Sequence, residues 1–120
     1  MNVNETFISF YLRANRVHVY VDALYALGCP NYVRFLISED GHSLALVPYH
    51  KKDFSSHRVH PGIYNGQKCM ELSSIRLCKV LSKMHSWDNE YSYRVPGTIV
   101  FKQKVVIFWL CEAEKIEHDF

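Results

Sequence analysis

The order of local elements constrains the fold of this chain more than any other feature, because one pattern occurs twice. Residues 7–48 and 63–110 each read as hairpin, short helix, hairpin, joined by a polar connector over residues 50–62. In the first unit, Phe7 to Leu12 is dense in aromatic and β-branched residues, turns through Arg13-Ala-Asn-Arg16 and continues as Val17 to Val21. In the second, Ile63-Tyr64 meets Asn65-Gly66, and Lys68 to Leu72 leads into a longer helix. Two further apolar runs follow each helix. Units of ~50 residues bury too little surface to stand alone. The 120 residues are therefore expected to form a single α+β domain whose two tandem units share one barrel-like core.

Local signals place the elements. Strand alternation puts Val17, Val19 and Val21 on the inward face. Asp22 is expected to cap the first helix and Gly28 to end it in the left-handed conformation, with Leu24 and Leu27 facing the core. Tyr32 to Ile37 and Ser43 to Val47 read as strands around the Asp40-Gly41 turn. Ser73 or Ser74 caps the second helix, on which Leu77, Val80, Leu81 and Met84 form an i, i+3, i+4, i+7 stripe predicted to face the core. Arg76, Lys79 and Lys83 occupy another side, and Trp87 to Glu90 closes the helix. Pro96-Gly97 marks a bulge or bend in the run Tyr91 to Phe101, and Val105 to Leu110 reads as a central strand apolar on both faces. The charged tail, residues 112–120, is expected to fray or form a helical turn.

Composition removes several classes of function. A hydrophobic fraction of 48% with 14% aromatic residues excludes a disordered chain, and a net charge of +2 gives no whole-molecule pull on nucleic acid or anionic lipid, so any basic surface must be local. The N-terminal residues show no basic leader with an apolar block, and no run approaches a membrane span; a cytoplasmic, soluble protein is expected. Cys29, Cys69, Cys78 and Cys111 are isolated within or beside apolar segments, as reduced buried thiols would be. No Gly-rich phosphate loop, nucleophile elbow or paired-carboxylate pattern is present, so neither an enzyme nor a cofactor is expected. His18 with Cys29 or Asp22, or Cys29 with His42, are the pairs open to catalytic work, and Asp22 is better explained as a cap. His50, His57 and His60 share the connector, but without a Cys-x-x-Cys or His-Glu-x-x-His companion they read as surface histidines rather than zinc ligands.

Arg16-Val-His-Val-Tyr-Val-Asp-Ala-Leu-Tyr-Ala-Leu-Gly28, then Asn31 to Ile37 and Ser43-Leu-Ala-Leu-Val-Pro48, resembles the AbrB-like DNA-binding domains in its order of strand, turn, strand, short helix and hairpin. That resemblance implies a swapped-hairpin barrel, and its tandem form in the related MraZ-like proteins is the closer parallel. The family usually carries Gly-Arg at the turn and Ile-Pro before the helix. Here those positions hold Asn15-Arg16 and Tyr20-Val21 in the first unit, and Gly66-Gln67 and Glu71-Leu72 in the second, so only one Arg matches.

The resemblance implies a small DNA-binding transcriptional regulator. Phosphate contacts would come from Arg13 and Arg16 at the first turn and from Arg76, Lys79 and Lys83 on the second helix. Lys51, Lys52 and Arg58 add charge in the connector, and Lys102 and Lys104 at a hairpin tip read as solubilising residues. The competing reading is a non-catalytic protein-interaction or self-assembly module without nucleic-acid activity, for which eight tyrosines supply contact area and an unpaired edge strand could pair with another copy.

Overall fold

The computed structural model describes residues 4–116. It is mixed α+β: nine antiparallel strands curl into a nearly closed barrel with two helices packed on it. The elements in chain order are β1 (Glu5–Tyr11), β2 (Arg16–Tyr20), α1 (Val21–Ala26), β3 (Tyr32–Ile37), β4 (Ser43–Tyr49), β5 (Ser56–Arg58), β6 (Cys69–Ser73), α2 (Ile75–His85), β7 (Ser92–Val100), β8 (Val105–Trp109) and β9 (Glu114–Ile116). The sheet order is β5-β3-β4-β8-β7-β1-β2-β6, with β9 on the stretch of β7 that β8 leaves open. Extents of 36 × 35 × 33 Å fit a sheet wrapped around its core rather than a flat one.

The strand pairing has an internal two-fold relation. Exchanging β1 with β5, β2 with β6, β3 with β7 and β4 with β8 turns β1·β7 into β5·β3 and β3·β4 into β7·β8, while β2·β6 and β4·β8 map onto themselves. The registers agree as well. Phe35↔Leu46, Leu36↔Ala45 and Ile37↔Leu44 correspond to Gly97↔Phe108, Thr98↔Ile107 and Ile99↔Val106, and the relation is centred on the Ala45–Ile107 pair. Among these eight strands, only the β1·β2 pairing has no image. Its counterpart, β5·β6, is unformed, and those two strands are the ends of the order. They flank a seam in the barrel.

The seam is where the leading hairpin expected at Ile63-Tyr64 and Lys68 to Leu72 fails. Residues Pro61–Tyr64 form a 3₁₀ turn whose entry is capped by His60 Nδ1 accepting from the Gly62 N–H, because Pro61 has no N–H for a sheet and two apolar residues are too few for a strand. The short β5, inside the expected connector, pairs with β3 in its place.

One core serves both units. Ile8, Phe10, Val17, Val19, Leu24, Leu44, Leu46, Leu81, Val106 and Phe108 are fully buried, and Leu27 is nearly so. Val21 departs from the expected strand face: it opens α1 and is half-buried. Asp22 is not the cap. Its Oδ1 accepts from Thr6 Oγ1 (2.8 Å) and the Ala23 N–H (2.7 Å), which fastens α1 to β1.

Ser74 caps α2 by accepting from the Leu77 N–H at 3.2 Å. The helix stops at His85, with Ser86 left-handed (φ 54°), before the Trp87 segment expected to close it. The stripe is split. Leu81 is buried together with Cys78 and Ser82, Leu77 is half-buried, and Val80 and Met84 face outward, because that side of α2 borders the seam. No bulge occurs at Pro96-Gly97: β7 pairs with β1 in one unbroken register, and Gly97 is needed because a Cβ there would lie 2.5 Å from the Phe108 ring. Of the four thiols, Cys78 is buried, which pushes it up to about 11, and Cys69 is half-buried. Cys29 and Cys111 are exposed instead, each in a turn where the chain leaves the core. Glu114–Ile116 of the tail is a strand rather than a helical turn, and residues 117–120 lie outside the described residues. Among the described residues, no helix is long and apolar enough to cross a membrane.

Candidate nucleic-acid interface

Sequence spacing separates Arg13 and Arg16 from the α2 cations by some sixty positions, and the fold brings them to one side of the molecule. The β1–β2 turn abuts the start of α2, where the Ser74 N–H donates to the Asn15 carbonyl at 3.0 Å. Beside this contact lies a polar cleft of about 470 Å³, lined by Leu12, Asn15, Lys79, Ser82, Lys83, Trp87 and Asn89. Trp87 forms its floor, stacked on Tyr93 with ring centroids 4.8 Å apart and an 11° interplanar angle.

The five candidate cations fall into two electrostatic groups. Arg13 Nε lies 3.7 Å from Glu90, and Arg16 Nη1 donates to Ser73 Oγ at 2.6 Å and lies 3.4 Å from Glu71. Both guanidiniums are exposed, so these pairs are weak, but each offsets a charge the hairpin was expected to present. Arg76, Lys79 and Lys83 are exposed and take part in no ion pair among the described residues. At 100° per residue they fall within one narrow sector of α2 and form a ridge along it. The cleft lies on one flank of that ridge.

On the other flank is an apolar groove that the sequence reading missed. It holds about 500 Å³ and spans the seam from Leu77 and Val80 of α2 to Leu36, Ile37 and Phe54. Within the stripe, Val80 lies about 40° from exposed Arg76 and about 100° from buried Leu81 around the helix, so it sits at the outer edge of the apolar face.

The histidines have other partners. His18 is paired with neither Cys29 nor Asp22. Its Nε2 lies 2.9 Å from Glu71 and its Nδ1 4.0 Å from the Cys69 thiol, on the outer face where β2 meets β6. His57 packs edge-on to Phe35 at 5.5 Å, and burial pushes it below its ordinary value of 6.5. His60 caps its own turn, and His50 lies tilted against Tyr49 with ring centroids 4.8 Å apart. Among the described residues, no three metal-ligating side chains converge. Of the tyrosines, Tyr20, Tyr25 and Tyr91 are the exposed ones, and they do not line the groove.

No family model matches the chain, and neither a curated protein nor a solved structure matches it.

Proposed function

We propose that this protein is a small, non-catalytic DNA-binding regulator of AbrB-like type whose phosphate contacts lie on α2. The observation that carries the reading is the ridge of Arg76, Lys79 and Lys83, three cations in one exposed sector with no carboxylate partner among the described residues. The adjoining cleft adds Asn15 and Asn89, whose amides suit phosphate or base edges. The interlocked pairing also supports it, since β1 lies against β7 and β5 against β3, so that each unit contributes a strand to the other.

Binding to a random-sequence duplex at low and moderate salt tests the reading. The wild type is expected to bind with salt-sensitive affinity, and Arg76→Gln, Lys79→Gln, Lys83→Gln combined to lower the salt slope by roughly 0.9 per contact removed. Arg13→Ala with Arg16→Ala is expected to cost less, because Glu90 and Glu71 already engage those side chains. Absence of binding at low salt would overturn the proposal.

A protein-interaction module is the second reading. The apolar groove beside the ridge favours it, since phosphates offer nothing to Leu36, Ile37 or Phe54.

A further inference from the structure

Five large apolar side chains are exposed on or beside one face: Leu36, Ile37, Phe54, Val80 and Met84. Phe54 is 95% exposed at the rim of the groove, where a lone monomer gains nothing from it. A protruding ring and an apolar recess on the same face are the two halves of an isologous contact, in which each copy offers the patch it accepts.

Charge decides between occupants. Arg76 lines the groove near the N-terminal end of α2. The opposite end leads to the β3–β4 turn, where Ile37 is followed by exposed Glu39 and Asp40. That turn meets the far end of α2, because His85 Nε2 lies 2.9 Å from the Gly41 carbonyl and Met84 covers Gly41. The groove therefore has Arg76 at one end, apolar side chains along its length, and beyond its other end the exposed carboxylates of Glu39 and Asp40, the latter 3.5 Å from His42 Nδ1. A second copy turned end for end sets each Arg76 against the partner's acidic turn and stacks the apolar middles. A purely acidic or purely basic partner would complement only one end.

We propose that this face is the contact of a two-fold homodimer, with Phe54 of each copy seated against the other's groove. An axis in the contact plane and perpendicular to α2 leaves the Lys79 and Lys83 sides of both helices facing the same way. Dimerisation thus takes Arg76 into the contact and joins the Lys79 and Lys83 pairs of the two helices into one surface, which a monomer of net charge +2 does not have. The dimer does not rest on the DNA reading.

Sedimentation equilibrium of the full chain without nucleic acid tests it, with circular dichroism as the fold control. Wild type is expected to dimerise reversibly, and Phe54→Asp to raise the dissociation constant by about thirtyfold or more, as loss of a central aromatic anchor does. Arg76→Glu alone and Glu39→Arg alone are each expected to weaken self-association about tenfold. An equimolar mixture of these two variants restores it, because the mixed dimer has opposite charges at both ends. A monomeric wild type, or a mixture no tighter than either variant alone, would overturn the proposal. DNA binding is measured separately, so its failure leaves this result standing.

Discussion

α1 and α2 follow equivalent strands in the two units, yet the barrel uses them differently. α1 has six residues, no side-chain cap and one charged side chain, Asp22, which is spent on holding β1. Its exposed Tyr25 donates back to the Tyr64 carbonyl at 3.3 Å. α2 has eleven residues, a Ser74 cap, and an outer surface carrying three apolar side chains and three cations that take part in no ion pair among the described residues. Equivalent topology therefore fixes where a helix sits, and the side chains beyond the core fix what it can do. The hairpins teach the same lesson inside the core. Phe35 opposite Leu46 in the first unit becomes Gly97 opposite Phe108 in the second, so the large side chain changes strand while both pairs still fill the interior.

The largest way to break this comparison is to empty the shared core from one unit. Phe108→Ala is expected to destabilise by about 3–5 kcal/mol and to unfold the chain in a single denaturant transition, since no unit has a core of its own. Two separate transitions would mean that the units are independent. Gly97→Ala sharpens the same contrast at about 1–3 kcal/mol, because its Cβ meets the Phe108 ring. That cost should shrink in a Phe108→Leu background, measured as a double-mutant cycle.

A cap comes next in size. Ser74→Ala should cost about 1 kcal/mol by removing the bond to the Leu77 N–H, a penalty for which α1 has no counterpart. The smallest effect is on pH. Burial holds His57 below 6.5, so on acidification the unfolded chain takes up the proton first; this contribution is complete above 6.5 and fades as the pH falls below it. His57→Gln should therefore lose less thermal stability than wild type between pH 7.5 and 5, checked by melting temperature, and an equal loss would show that His57 remains hydrated. Both pH values lie about one unit or more from the ordinary imidazole pKa, on either side of it.

Much of this was legible in the residues. Val17 and Val19, Leu24 and Leu27, the Asp40-Gly41 turn and the Ser74 cap each follow from a periodicity or a side-chain oxygen acting within a few positions. What failed depended on neighbours far along the chain. Asp22 looks like a cap until Thr6 is placed beside it, and Val80 and Met84 look like core until the seam leaves them uncovered. Arg13 and Arg16 look like free cations until β6 and the loop before β7 bring in Glu71 and Glu90.

The sequence by itself determined the order of strands and helices apart from β5, β9 and the turn at Pro61–Tyr64, together with the inward face of most strands, because backbone geometry and burial act at short range. Tertiary structure alone decided that β5 and β6 would not pair, that two arginines would meet carboxylates, and that an apolar groove would open beside a cationic ridge. Those outcomes depend on which distant strands come into register, and a register slip of one residue moves every side chain to the other face.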